Sequence, residues 1–268
     1  MNTLIKPKMS GLIGMALFFY LLSCIISPLA GTVHAGTIVG SKHDFSALNT
    51  LSTPFAGVWE VQTASGFPLV IDEICVFCHT PHGASNNIPG YTKSVWLWNR
   101  TNSPPGGYTY AMYQSPTLSA TISAAPTGVS MMCMSCHDGV TSIAVNTLLN
   151  APGSGTGIVQ ANGISLPGAM GSIYNGTPFV GWGANVGETY PGGPSTINLS
   201  NDHPISFEWP ANKAGLLTSP SDSRLRLFGA TGKRMECATC HAVHDPSIVP
   251  FLAMPNTNSN MCRSCHIK

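Results

Sequence analysis

Apolar residues are concentrated near the N-terminus and are thinly patterned along the rest of the chain. Two lysines come before an apolar run at residues 11–29, and small residues follow this run up to Ala35. The arrangement is typical of a secretory signal peptide, so we expect residues 1–35 to be removed by cleavage near Ala35. Two alternatives stay open. The run is close to the roughly 20 residues that span a bilayer and could stay as an anchor, or Cys24 could carry a lipid.

The remaining chain predicts few long regular elements. Glycine and proline contribute 28 and 21 residues, and only 9% of the residues are charged. The most helix-like segment is 129–149, which Gly139 interrupts, and Ser41–Ser46 could begin a short helix capped by Ser or Asp. Residues 151–194 are rich in glycine and almost uncharged, which predicts a long loop or an extended insert. We therefore predict mostly irregular coil with short α-helices and few strands.

One five-residue pattern, Cys-x-x-Cys-His, occurs four times. In an exported protein this pattern is the attachment site of a c-type haem. The two thiols can reach the two vinyl groups of one porphyrin, and the adjacent histidine becomes the proximal ligand of the iron. We predict four covalently bound haem c groups. The attaching thiols are Cys75, Cys78, Cys133, Cys136, Cys237, Cys240, Cys262 and Cys265, and the proximal ligands are His79, His137, His241 and His266.

Other uses of paired cysteines explain the pattern less well. A zinc ribbon would place its two pairs about 15 to 20 residues apart, whereas the pairs here are more widely and unevenly spaced. Disulfide scaffolds are usually shorter chains, and cross-linking does not require a histidine after each pair. With nine histidines in 268 residues, chance would place one after all four pairs about once in a million. We treat residues 36–268 as one haem-organised domain, in which the porphyrins supply much of the core.

Four further histidines outside the signal peptide match the four haems in number and are candidate distal ligands: His43, His82, His203 and His244. His82 and His244 each follow a motif histidine by three residues. Three residues span at most about 10 Å, too little to pass round a porphyrin edge and return to the iron. Each of the two should therefore reach a different haem. Methionine is the competing ligand, and the methionines near the motifs are Met112, Met131, Met132, Met235 and Met261.

Charge excludes one class of partner. Without residues 1–35 the chain keeps 10 of its 12 Lys and Arg residues against 11 Asp and Glu. Four haems would add eight propionates, so the loaded protein should be acidic unless these groups are buried or paired. Candidate pairing residues are Arg100, Lys213, Arg224 and Arg226. We expect no binding to nucleic acid.

The chain resembles the outer-surface multihaem c-type cytochromes of metal-reducing microbes, in particular the tetrahaem OmcE type. The resemblance rests on Ser41–Phe45, Cys75–Gly83, Leu97–Arg100, Asp202–Pro204 and Cys237–Asp245. It implies bis-histidine haems in a continuous stack and a head-to-tail homopolymer in which a histidine of one subunit ligates a haem of the next. His43 is the candidate for that ligand in trans. The resemblance also implies upstream donor cytochromes and an extracellular acceptor such as a metal oxide. The Gly-rich insert at residues 151–194 is the part of the chain in which the sequence departs from the pattern of this family.

The function expected from these features is electron transfer without substrate chemistry. The protein would be exported and would work at the outer cell surface or outside the cell, with the periplasm as the alternative. A monomeric periplasmic carrier would use the same ligands. A membrane-anchored quinol dehydrogenase would retain residues 11–29. A multihaem reductase would need an iron with an open position, and every motif here ends in histidine.

Overall fold

Short elements separated by irregular chain make up the fold, which confirms the prediction from composition. The structure is a computed structural model that describes residues 38–46, 59–62, 68–70, 73–85, 88, 97–100, 107–138, 149, 158–160, 196–210 and 213–267. All of these residues belong to the unit Gly36–Lys268. The predicted signal peptide and most of the Gly-rich insert lie outside the described residues.

The described helices are short, and most of them hold part of a Cys-x-x-Cys-His motif. They are α1 (Gly128–His137), α2 (Cys237–Cys240) and α3 (Asn260–Arg263), with 3-10 turns at Ile74–Phe77 and Thr257–Ser259. The helix predicted from residue 129 onward is present as α1, and it ends before the interrupting Gly139. Residues 139–148 of that prediction lie outside the described part. None of the helices that the structure describes is both long and apolar enough to cross a membrane.

The strands form three small sheets. They are β1 (Trp59–Gln62), β2 (Pro68–Val70), β3 (Thr109–Met112), β4 (Ile158–Gln160), β5 (Thr196–Leu199), β6 (Phe207–Glu208) and β7 (Arg234–Met235). Antiparallel pairing places β1 between β2 and β4, and β6 pairs antiparallel with β7. β3 and β5 run parallel, with Thr109 opposite Thr196. The pair β6 and β7 leads directly into the third motif at Cys237.

Among the described residues, buried apolar side chains form small clusters close to the motifs. One cluster contains Met112, Met134, Ile197 and Leu199, a second Ile88, Val129 and Met132, and a third Leu225, Met254 and Met261. Met134 lies inside the second motif. Cys240 and Cys265, from the third and fourth motifs, pack against the third cluster. These three clusters therefore lie beside the Cys-x-x-Cys-His motifs.

The segment Ser41–Ser46 forms turns, and the body of the short helix that it could begin would lie outside the described residues. The carboxylate of Asp44, only 2% exposed, accepts the Gly40 N–H at 2.7 Å and the Ser46 N–H at 3.0 Å. It also accepts the Ser46 hydroxyl at 2.6 Å. A short acidic side chain that binds nearby backbone donors competes with the helix ladder. These bonds hold the arm that carries His43.

Candidate functional site

Each Cys-x-x-Cys-His motif lies on a single turn of helix or at the end of one. The histidine N–H of a motif bonds back to the carbonyl of its first cysteine, at 2.7 Å for His79, 3.1 Å for His241 and 2.9 Å for His266. Residues three and four positions apart lie on the same face of a helical turn. The sequence spacing therefore brings the second thiol and the histidine to the same side as the first thiol.

Three motif histidines lie opposite three of the non-motif histidines. The ring centres of His43 and His137 are 6.0 Å apart, with the rings nearly perpendicular at 79°. His79 faces His244 at 6.1 Å and 29°. His203 faces His266 at 6.4 Å and 76°. His244 follows the third motif in sequence, but its ring lies opposite His79 of the first motif.

These spacings suit one iron between two imidazoles. Two metal–nitrogen bonds of about 2 Å, plus roughly 1 Å from each nitrogen to its ring centre, give about 6 Å. Both perpendicular and nearly parallel rings are compatible with this arrangement, because each ring can rotate about its metal–nitrogen bond. The ring-centre distances of the three pairs are therefore compatible with one metal ion between the two rings of each pair.

His43 is the best buried of the candidate distal ligands. Its ring stacks on Phe251, with centres 4.4 Å apart. Its Nδ1 atom is buried and has no hydrogen-bond partner in the described structure. Burial, followed by the nearby His137, lowers the pKa of His43 to about 4, although the Val243 carbonyl partly opposes the shift. A neutral ring with an unsatisfied buried nitrogen is what a metal ligand requires.

Hydrogen bonds set the tautomer of two other histidines. The Nδ1 atom of His203 lies 3.0 Å from the Pro204 carbonyl oxygen, and that of His241 lies 3.1 Å from the Pro250 carbonyl oxygen. A carbonyl only accepts, so Nδ1 is the donor in both rings and the Nε2 lone pair is left for a metal. Burial also lowers the pKa of His203 and of His244.

His241 and His82 are not part of the three pairs. Both residues are exposed. Among the residues that the structure describes, no histidine ring lies opposite His241 at the spacing of the other pairs. The His82 N–H donates to the Thr80 hydroxyl at 3.4 Å, and that hydroxyl donates to the His82 carbonyl at 2.8 Å. Of the four candidate distal ligands, His82 is therefore the one outside the three ring pairs.

Thiols of neighbouring motifs change one another's pKa values: the first motif is affected by the second, the second and third affect each other, and the third is affected by the fourth. Burial raises the pKa of Cys78 to about 12, and the Cys136 thiol adds to the shift. Cys133 donates a hydrogen bond to the Cys237 sulfur, which raises the pKa of Cys133 and lowers that of Cys237. Burial raises the pKa of Cys240 to about 11, and Cys265 contributes to the same shift.

The methionines near the motifs are packed in apolar surroundings. All five that were candidate ligands are buried, and three of them, Met112, Met132 and Met261, belong to the apolar clusters. The sulfur of Met131 is 4.0 Å from the Tyr110 hydroxyl. Their surroundings are typical of methionines that fill gaps in a core.

Asn99 and Arg100 connect the first two motifs. The Asn99 amide donates to the Val76 carbonyl at 2.7 Å, inside the first motif. The guanidinium of Arg100, 1% exposed, donates to the Ser135 carbonyl at 3.4 Å, inside the second. Of the four basic residues suggested as propionate partners, Arg100 is thus the one buried between attachment sites. Arg224, by contrast, is exposed and binds Asp222 at 2.7 Å.

Sequence reasoning missed Glu236 and Arg234. Glu236 is 1% exposed, and its carboxylate lies 3.4 Å from Arg234. An acidic residue directly before a motif cysteine, with Thr239 three positions later, was the available signal. The Thr239 hydroxyl accepts the Glu236 N–H at 3.1 Å.

Comparisons with known protein families and with curated proteins found no similar protein. No protein-family model matches the chain, and no curated protein is significantly similar to it.

Proposed function

We propose that this chain is an exported tetrahaem c-type cytochrome that carries electrons along bis-histidine haems. The observation that carries the proposal is the placement of three motif histidines opposite His43, His203 and His244 at 6.0–6.4 Å. Repeated attachment motifs alone account for the proximal side of each iron. The ring pairs supply matching ligands for the distal side of three irons, from residues distant in sequence.

The residues of the chain attach, orient and enclose the cofactors. The eight motif thiols hold the porphyrins, and the carbonyls of Pro204 and Pro250 orient two of the ligand rings. Bound haem supplies one-electron chemistry. Two histidines on an iron leave it no position for a substrate, so paired ligands favour electron transfer over substrate chemistry.

Proximity between successive motifs supports transfer along the molecule. Cys136 adds to the raised pKa of Cys78, and Cys265 adds to that of Cys240. The Ser130 hydroxyl in α1, the helix of the second motif, accepts the N–H of Cys237 in the third at 2.9 Å. Electron transfer is fast only between redox centres that lie close together. We propose that the four haems form one chain, with His82 as the distal ligand of the haem on His241.

The setting of this function is the outer cell surface or the space outside it, with the periplasm as the alternative. Upstream donor cytochromes would reduce the protein, and an extracellular acceptor such as a metal oxide would oxidise it. Assembly into head-to-tail filaments is part of the proposal. His43 lies against His137 of its own chain, which favours ligation in cis and leaves the filament contact to other residues.

A reductase is the second candidate, because the exposed His241 has no histidine ring opposite it in the described structure. The haem on that residue is the one that could keep an open position. The quinol dehydrogenase alternative requires that residues 11–29 stay on the mature protein as an anchor. Measuring the mass of the mature N-terminus distinguishes it from the exported protein, because cleavage near Ala35 would remove these residues.

The test is to produce the protein in a host that attaches c-type haem. We expect four haems by intact mass and low-spin iron throughout by electron paramagnetic resonance, with no carbon monoxide binding to the reduced protein. Fewer than four haems would contradict the proposal. One high-spin haem that binds carbon monoxide would support the reductase instead.

A further inference from the structure

Glu236 is a buried carboxylate that serves no haem as a ligand. One of its oxygens, Oε1, accepts from the Thr127 hydroxyl at 2.8 Å and from Arg234 Nε at 3.4 Å. The other, Oε2, accepts from the hydroxyls of Ser130 and Ser206, the latter at 3.1 Å. Burying a carboxylate is costly unless it is paired and hydrogen-bonded. Four donors to one side chain therefore mark a specifically built arrangement.

The donors come from segments that carry predicted haem ligands. Thr127 is the N-cap residue of α1 and Ser130 lies in its first turn, and α1 holds the second motif. Ser206 follows the candidate distal ligand His203 by three residues. Glu236 itself is the N-cap residue of α2, which holds the third motif. One carboxylate therefore connects the second motif, the third motif and the loop of His203.

Ser130 makes a second link between the same two motifs. Its hydroxyl donates to Glu236 and also accepts the Cys237 N–H at 2.9 Å, across 107 positions of sequence. The backbone at the first cysteine of the third motif is therefore bonded directly to α1, the helix that holds the second motif.

Arg234 does not simply cancel the charge of Glu236. Its Nη2 donates to the Ser123 hydroxyl at 2.9 Å and to the Ser206 carbonyl at 2.8 Å, and only Nε faces the carboxylate. Removing the carboxylate would therefore leave a positive charge beside the two motifs. A negative charge stabilises oxidised iron, and a buried charge is weakly screened by salt.

We infer that Glu236 is a positioning residue for electron transfer between the haem sites of the second and third motifs. Through Thr127 and Ser130 it fixes α1, which holds the second motif, against the start of α2, which holds the third, and its charge lowers the reduction potentials of these two sites. The inference rests on the proposed tetrahaem function.

The first test is the holoprotein variant Glu236→Gln, which removes the charge and keeps the shape. Haem count by intact mass comes first, because a wild type with fewer than four haems would overturn the proposed function rather than this inference. In a redox titration resolved into one-electron steps, we expect two of the four potentials to rise. A charge near a partly buried site changes a one-electron equilibrium about tenfold, which corresponds to 59 mV.

The matched control is Glu208→Gln, because Glu208 is exposed on β6 and accepts only a long bond of 3.4 Å from Thr231. We expect this control to leave all four potentials in place. Equal shifts of all four steps in Glu236→Gln, or shifts no larger than those of the control, would overturn the inference.

Ser130 gives a milder test if Glu236→Gln yields no holoprotein. Ser130→Ala removes the bridge to Cys237 and keeps the carboxylate. We expect it to weaken the magnetic interaction between two low-spin haem signals in the oxidised protein, while Ser130→Thr, which keeps the hydroxyl, restores that interaction. An unchanged spectrum in Ser130→Ala would overturn the inference.

Discussion

At the scale of single residues, burial distinguishes one histidine from another. His43 lies on a terminal arm, and its short-range neighbours in sequence give no indication of its partner. In the fold its ring stacks on Phe251 and faces His137, and its pKa is lowered to about 4. The ring is therefore neutral and available to a metal over the whole physiological pH range.

Replacing His43 by alanine should change one haem of the four. The iron on His137 would lose its distal ligand, so we expect one high-spin haem and carbon monoxide binding at about one quarter of the haem content. Filaments should keep their normal length if the ligand acts in cis. Lys42→Ala, on the exposed neighbour, is the control and should keep four low-spin haems. A fully low-spin His43→Ala protein would contradict the assignment.

At the scale of elements, a tight turn supports the carboxylate network of Glu236. The N–H groups of Phe228 and Arg234 each bond to the other residue's carbonyl at 2.8 Å, which closes the turn through Gly229. Gly229 has φ +81°, and a Cβ there would lie 2.6 Å from Cδ of Arg234. The Arg234 side chain cannot easily move aside, because its hydrogen bonds hold it in the network.

Gly229→Ala should therefore destabilise the holoprotein more than Gly215→Ala does. Gly215 has nearly the same backbone, φ +83°, with open space where a Cβ would lie. The left-handed backbone costs a side chain about 1 to 2 kcal/mol at either position, and the clash adds roughly 1 to 3 kcal/mol at Gly229 alone. Thermal unfolding followed by circular dichroism compares the two variants. Equal midpoints would show that Arg234 can relax.

At the scale of the whole molecule, the apolar clusters formed by the described residues are small. The three of them contain three or four buried side chains each. Ordering a residue costs roughly 1 to 2 kcal/mol of conformational entropy, which clusters of this size offset poorly. Four porphyrins packed beside these clusters would supply the missing apolar contacts.

A chain without haem should therefore not fold. If all eight motif cysteines are replaced by serine, we expect a far-ultraviolet spectrum of an unfolded chain and no cooperative thermal transition. The loaded wild type, measured in the same buffer, is the reference. A cooperative transition in the serine variant would show that the polypeptide core is sufficient.

Local chemistry explains which features could be predicted. The Cys-x-x-Cys-His spacing requires only one helical turn, so the attaching thiols and proximal ligands follow from residues within five positions of one another. α1 was predictable up to Gly139 for the same reason. The turns at Ser41–Ser46 were not predictable in detail, because they depend on which backbone donors the Asp44 side chain accepts, here those of Gly40 and Ser46.

The sequence by itself determined the number of Cys-x-x-Cys-His motifs, the cofactor class that they predict, the count of candidate ligands and the scarcity of regular structure. Tertiary structure decided which histidines face each other, because His43 and His137, or His79 and His244, are brought together only by long-range packing. It also decided the role of Glu236, whose donors at Thr127 and Ser130 lie over 100 positions away. Contacts across such distances depend on the free energy of the whole fold, which no local pattern encodes.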